Sequence, residues 1–152
     1  MSMLDRVAGA PISWGVCEVA DWGYQLPAGR VLKEMRALGL RATEVGPEGF
    51  LPGDPAAKAR ALAAAGLAAV GGFVPLVLHD PAHDPLPEID RALDSLLSVG
   101  ARVVAIAAVS AVDGYDRASH LDPTDWPTLL GNLDRIAKFA EDRGVTAALH
   151  PH

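Results

Sequence analysis

The sequence predicts an α/β fold, an incomplete (βα)8 TIM barrel of about five parallel strands and four helices. Three observations lead to this class. Short apolar segments of strand length alternate with segments of helical period. Each predicted helix ends at a glycine that leads into the next strand. The loops that follow the strands are longer and rich in Trp, His, Asp and Glu, an asymmetry typical of a barrel that carries its site at the carboxyl ends of its strands.

The predicted elements follow in a regular order, and residues 1–152 form a single domain. The predicted strands are Val7–Val16, Arg41–Val45, a segment within 68–79, and the apolar runs 102–110 and 145–150. The predicted helices begin at Pro27, after an Asp54 cap, near Glu88 and after an Asp125 cap, and they end at Gly39, Gly66, Gly100 and Gly144. Apolar strands without polar alternation predict a parallel sheet that is covered on both faces. An open doubly wound sheet is the alternative, but no glycine-rich phosphate loop follows the first strand.

The charge balance disfavours two classes of partner. The chain carries 13 basic and 19 acidic residues, which gives a formal net charge of −6. That charge does not support binding to nucleic acid or to an anionic membrane surface. The sequence shows neither a signal peptide nor an apolar run of transmembrane length, so we expect a cytoplasmic protein. The single cysteine, Cys17, forms no internal disulfide, fits a reducing compartment and is predicted to be a small buried hydrophobe.

Polar and aromatic side chains follow the predicted strands, at the ends that face one cavity in a barrel. They are Trp14, Glu44, His79 with Asp80, Ser110, Asp113, His150 and His152. Carboxylates and imidazoles at such ends can hold a divalent metal ion or act as general acid and base. Structural alternatives are an exposed strand end for Glu44, core packing for Trp14, a loop cap for His79–Asp80 and a frayed chain end for the C-terminal histidines. His83 and His120 lie in polar loops and are predicted to be solvated.

Three stretches together resemble the xylose-isomerase-like TIM-barrel superfamily. They are "GAPISWG" at residues 9–15, "LGLRATEVGPEGFLP" at residues 38–52 and "ALHPH" at residues 148–152. More narrowly, they are similar to sugar phosphate isomerases/epimerases and to inosose-dehydratase-like proteins. The resemblance covers the whole chain, but only the N-terminal five of the eight strands expected in the barrel.

The resemblance implies a divalent metal ion, Mn²⁺, Mg²⁺, Co²⁺ or Zn²⁺, at the mouth of the complete barrel, and this chain alone is also compatible with none. His150 stands where the superfamily has an acidic fifth-strand ligand, so the resemblance implies a metal-binding and catalytic role for it. Glu44 matches the second-strand glutamate of the superfamily and is the other expected catalytic residue. Trp14, His79 and His152 are expected to contact the substrate.

The resemblance implies the N-terminal part of a metal-dependent sugar (phosphate) isomerase or epimerase. Its substrate would be a small-molecule sugar or polyol, and the reaction would proceed by proton abstraction next to a carbonyl. One alternative is an inosose-type dehydratase. Another is a non-catalytic half-barrel that self-associates, because an open parallel arc leaves strand edges unpaired. A homo-oligomer is expected, and a nucleic-acid repair enzyme of the same fold is disfavoured by the acidic balance. The metal ligands of the last three strands are absent, so the chain alone is expected to be incomplete for catalysis.

Overall fold

The computed structural model describes residues 3–19, 21–109 and 121–151. Within them the α-helices are Ala28–Ala37 (α1), Pro55–Ala65 (α2), Leu86–Leu97 (α3) and Trp126–Asp142 (α4). The strands are Ala42–Glu44 (β1), Ala68–Leu76 (β2), Val103–Ala108 (β3) and Thr146–Leu149 (β4). They form one sheet in the order β1-β2-β3-β4, in which β1 pairs with β2 and β3 with β4 in parallel. The predicted α/β class with a parallel sheet and four helices is confirmed.

The predicted first strand, Val7–Val16, is wrong in its extent. Only Gly9 of this segment pairs with the sheet, through a parallel bridge to Thr43 in which the Gly9 N–H donates to the carbonyl oxygen of Ala42 over 2.9 Å. The chain then forms a 3-10 helix over Pro11–Trp14. Proline has no N–H to donate to a strand ladder, so the pairing cannot continue past this point.

Contacts between Cα atoms divide the chain into two compact units. The first comprises Met1–Phe73 and Ser95–Arg102, and the second comprises Val74–Asp94 and Val103–His152. Strand β2 and helix α3 therefore contribute residues to both units.

The core of the first unit is built on α1. Val31, Leu32 and Met35 recur at helical spacing, and all three are buried. They pack in one cluster with Val16, Leu40, Leu51, Leu62 and Leu67. Leu38 continues the same apolar spacing but is 65% exposed, because it lies at the C-cap of the helix.

Helix α2 begins and ends as the sequence predicts. The Asp54 carboxylate accepts a hydrogen bond from the Ala57 N–H (2.7 Å), and Pro55 occupies the first turn. Gly66 ends the helix with a φ of 65°, in the left-handed region that glycine adopts without steric cost. The other predicted helix ends also have positive φ, at Gly39, Gly100 and Gly144.

Two positions in the first unit are packed closely. The buried Lys58 ammonium donates to the Ser95 hydroxyl, with 2.5 Å between Nζ and Oγ. A Cβ placed on Gly72 would lie 2.9 Å from Cγ2 of Val45 and 3.1 Å from Cδ2 of Leu96. The backbone of β2 can therefore approach its neighbours only because residue 72 has no side chain.

In the second unit, β3 and β4 pair in register from Val103 with Thr146 to Ile106 with Leu149. The His150 N–H donates to the Ile106 carbonyl oxygen over 2.8 Å. This bond extends the ladder one residue past the end of β4, which holds the backbone of His150 at the carboxyl end of the strand.

Helix α4 does not begin with the predicted cap. Asp125 occupies the N-cap position, but its carboxylate accepts from the Asp122 N–H (2.9 Å) and not from the helix. Its φ and ψ of −83° and −26° are helical, whereas a capping residue is normally extended. The buried face of α4 carries Leu129, Asn132, Ile136 and Ala140. No helix in the described part of the chain combines the length and apolar character needed to cross a membrane.

Candidate functional site

Glu44 lies at the carboxyl end of β1, where the sequence predicted a catalytic carboxylate. The residue is half-buried, and its N–H donates to the Gly9 carbonyl oxygen over 2.8 Å. The β1–β2 register shifts here, because Thr43 pairs with Ala69 while Glu44 pairs with Gly71. Such irregularities redirect a side chain at the end of a strand. The position is therefore built by specific backbone contacts, and the catalytic role of Glu44 remains a prediction.

Trp14 is half-buried against the hydrophobic cluster of the first unit. Its indole N–H donates to Oε2 of Glu34 on α1 over 2.9 Å, and the Arg30 guanidinium donates to Oε1 of the same carboxylate, also over 2.9 Å. These two hydrogen bonds lower the pKa of Glu34 below its usual value of 4.5, and the bond from Arg30 has the larger effect. The indole N–H is thus engaged within the protein, so any substrate contact by Trp14 would use its ring face.

The loop after Trp14 is held by Gln25, a residue that the sequence analysis did not single out. Gln25 has a φ of 46°, and its backbone N–H donates to the Gly15 carbonyl oxygen over 2.9 Å. Its side-chain amide donates to the carbonyl oxygens of Val19 (2.8 Å) and Trp22 (2.9 Å). Cys17, within this loop, is buried, as predicted. No local sequence signal identifies Gln25, because its bonds depend on the closed shape of the loop.

His79 and Asp80 follow β2 in the loop that leads to α3. His79 is half-buried. The Asp80 carboxylate accepts from the Ala82 N–H (2.8 Å), and its carbonyl oxygen accepts from the His83 N–H (3.2 Å). Asp80 therefore caps a turn, which is the structural alternative that its sequence position allowed. The substrate contact expected of His79 stays a prediction.

His83 was predicted to be solvated but is half-buried. Its Nε2 lies 2.8 Å from Oε1 of Glu88 in the first turn of α3. The same nitrogen is buried and has no hydrogen-bond partner of acceptable geometry. The 2.8 Å approach of this nitrogen to Glu88 is therefore a close contact without hydrogen-bond geometry.

A cleft of about 480 Å³ lies in the second unit, between the β2–α3 loop and the first half of α4. Asn132 is buried at its base, where its side-chain amide donates to the Leu78 carbonyl oxygen over 2.9 Å. Its amide oxygen accepts from Nη1 of Arg135 (2.8 Å), and Nη2 of Arg135 donates to Oδ1 of Asp84 (2.9 Å). Sequence reasoning missed this cleft. One signal was available, because an asparagine on the apolar face of a helix must find a hydrogen-bond partner when it is buried.

His150 is exposed at the end of β4. The predicted site residues Ser110, Asp113 and His152, and also His120, lie outside the described residues. Among the residues that the structure describes, no group of three or more His, Cys, Asp or Glu side chains is arranged to hold a metal ion. A single imidazole does not complete a metal site, so the described residues do not fit a metal ion by themselves.

Comparisons with known proteins find sequence relatives and solved structures of similar fold. No family model matches the sequence. The inosose dehydratase of Erwinia tasmaniensis is 27% identical over 97% of this chain and 51% of its own length. The inosose dehydratase of Bacillus velezensis is 26% identical over 94% of this chain and 49% of its own length. The chain thus spans about half the length of the curated relatives it matches.

The fold is similar to that of a solved L-ribulose 3-epimerase. The TM-score is 0.65 at 18% sequence identity, over 94% of this chain and 48% of the epimerase. At that identity the likeness establishes the fold alone. Coverage of about half of each matched chain agrees with the predicted incomplete barrel.

Proposed function

Because the sequence and fold comparisons both support the xylose-isomerase-like TIM-barrel superfamily for this chain, we propose that the protein acts on a ketone of a sugar or polyol. The reaction begins with removal of a proton from the carbon next to the carbonyl. The two sequence relatives described above are inosose dehydratases, and the solved structure described above is an L-ribulose 3-epimerase. Both reaction types can start from this step, so the proposal rests on the chemistry that they share.

One observation carries the assignment of the base. Glu44 ends a parallel strand, and its backbone is held there by bonds to neighbouring chain segments. A carboxylate fixed at the carboxyl end of a barrel strand is suited to general-base catalysis. In the proposed step Glu44 accepts the proton, the C–H bond breaks, and its electron pair moves into the carbonyl group to form an enediolate.

Dehydration is the first candidate outcome. From the enediolate, the hydroxyl group on the carbon beyond the deprotonated one leaves with the proton that Glu44 had accepted, so that one water molecule is released and Glu44 is again a carboxylate. The sequence relatives named above support this outcome, since both are inosose dehydratases that match at least 94% of this chain.

Epimerisation is the second candidate. In this case Glu44 keeps the proton that it removed, a second group such as His150 donates a proton to the same carbon on the opposite face, and the composition of the substrate does not change. The fold likeness to L-ribulose 3-epimerase supports this outcome, although at 18% identity that support is limited to the scaffold.

A divalent metal ion would supply polarisation of the substrate carbonyl. We propose His150 as the contribution of this chain to such a site. Among the described residues no group of three or more His, Cys, Asp or Glu side chains is arranged to hold a metal ion, so no step of the proposed reaction is assigned to the metal. His150 also remains a candidate proton donor or acceptor, and Trp14, His79 and His152 remain candidate substrate contacts.

A pair of glutamine substitutions tests the proposal. Glu44→Gln keeps the shape of the side chain and removes its basicity, whereas Glu48→Gln makes the same change at an exposed position four residues later. With the variants made in a protein that contains the complete barrel, and with an inosose as substrate, we expect Glu44→Gln to lower kcat by about 10²–10⁴-fold, the usual contribution of a general base. Glu48→Gln should retain activity. Equal activity of the two variants would refute the role of Glu44.

A further inference from the structure

We propose that the cleft between the β2–α3 loop and α4 binds a neutral polyhydroxyl molecule at an accessory site. None of the residues proposed above for catalysis or substrate contact lines this cleft. Its volume of about 480 Å³ lies within the usual range for small-molecule sites. The inference therefore stands apart from the proposed reaction and does not depend on it.

The polar groups of the cleft are held in place by the protein. The Asn132 amide N–H donates to the Leu78 carbonyl oxygen, and its amide oxygen accepts from Arg135. The two bonds together fix the orientation of the side chain. Arg135 is held in turn by Asp84 across the cleft. A site whose polar groups are already ordered loses less conformational entropy when a ligand binds.

Two carboxylates of the cleft keep hydrogen-bonding capacity for a ligand. A carboxylate has about four acceptor positions. Oδ1 of Asp80 receives the Ala82 N–H (2.8 Å), and Oδ1 of Asp84 receives the Leu86 N–H (3.3 Å) and Arg135 (2.9 Å). The remaining acceptor positions suit the hydroxyl groups of a polyol, which donate one hydrogen bond and also accept from hydroxyl or guanidinium donors.

The charges that line the cleft argue against a free ion as the ligand. The two carboxylates, Asp80 and Asp84, outnumber the one guanidinium, Arg135. An anion such as phosphate would meet this excess of negative charge, and Arg135 already pairs with Asp84. A metal cation would meet the guanidinium, and the carboxylates here belong to no metal-binding group among the described residues. The hydroxyl groups of a neutral ligand can donate hydrogen bonds to the carboxylates and accept them from the guanidinium.

The floor of the cleft allows a matched pair of variants. Gly131 of α4 lines the cleft, and a Cβ on it would meet no atom within 4 Å. Gly29 of α1 is also helical with no atom within 4 Å of a Cβ, but it lies in the first unit. Replacing either glycine by methionine improves helix propensity similarly. Only Gly131→Met places a side chain in the cleft.

The test is a titration of ¹⁵N-labelled protein with myo-inositol, followed by NMR, with inorganic phosphate and Mg²⁺ as separate probes. We expect saturable shifts of the Ala82 and Thr128 amide signals with myo-inositol. Gly131→Met should weaken this binding by about tenfold or more, which corresponds to about 1.4 kcal/mol. Gly29→Met should bind like the unaltered protein.

Three results would overturn the proposal. One is the absence of saturable shifts with myo-inositol. Another is equal binding by Gly131→Met and Gly29→Met, which would place the ligand elsewhere. The third is saturable binding of phosphate or Mg²⁺ at these signals without binding of the polyol. Because none of these readouts uses turnover, the outcome is independent of whether Glu44 is the catalytic base.

Discussion

Replacing Asn132 by alanine should destabilise the second unit through one buried carbonyl group. The Asn132 amide donates to the carbonyl oxygen of Leu78, a fully buried residue, over 2.9 Å. Without this donor the oxygen is left unsatisfied, at a cost of about 1–3 kcal/mol. The second bond lost, from Arg135, costs little because water replaces the partner of a half-exposed guanidinium. The expected loss is therefore about 2 kcal/mol.

Chemical denaturation and thermal unfolding measure this loss. In a chain of 152 residues, about 2 kcal/mol lowers Tm by about 4–8 °C. Arg135→Met is the matched control, because it removes the surface ion pair and keeps the apolar stem, and we expect it to cost less than about 1 kcal/mol. The reasoning is refuted if the two variants lose equal stability, or if Asn132→Ala unfolds like the unaltered protein.

Three further predictions concern the first unit. Gly72→Ala should cost about 1–3 kcal/mol in denaturant titrations, because its methyl carbon would lie 2.9 Å from Cγ2 of Val45; an unchanged midpoint would contradict this packing. Ser95→Ala should cost about 1–3 kcal/mol in the same assay, since the buried Lys58 ammonium loses its hydroxyl partner. Ser95→Thr keeps a hydroxyl group and should therefore lose less stability than Ser95→Ala. The pKa of Glu34 is lowered on folding, so the ionised carboxylate stabilises the fold above its usual value of 4.5, and this stabilisation disappears as the pH falls through the lower folded pKa. Glu34→Gln should therefore be less stable than the unaltered protein at neutral pH and equally stable in strong acid. A stability difference that stays constant across pH would contradict the ion pair.

The helices and most of their ends, the Asp125 cap of α4 excepted, could be predicted because their signals are local. The apolar spacing of α1 and the Asp54–Pro55 start of α2 act within one or two turns of the chain. The apolar composition of Val7–Val16 predicts a strand, but Pro11 lies within the segment. A proline within an apolar run signals that a strand ladder ends there, and the bridge at Gly9 is what remains of the pairing.

The candidate site likewise contains positions that the sequence could predict and others that it could not. The positions of Glu44 and His150 at strand ends follow from local pattern, so the sequence could predict them. Asn132 on the apolar face of α4 signals a buried hydrogen-bond partner, but the cleft itself could not be predicted, because it depends on contacts between residues about fifty positions apart, such as Arg135 with Asp84. Sequence spacing carries no information on such pairings until the packing of α4 is known.

The central claim is that this protein removes a proton next to a ketone with Glu44 as the base. The most direct measurement is NMR of an inosose incubated in deuterated water with a protein that contains the complete barrel. We predict that deuterium enters the position next to the carbonyl, and that Glu44→Gln slows this exchange by about 10²–10⁴-fold while Glu48→Gln does not. Exchange at equal rates in the Glu44→Gln variant and the unaltered protein, or no exchange above the rate in buffer, would contradict the account.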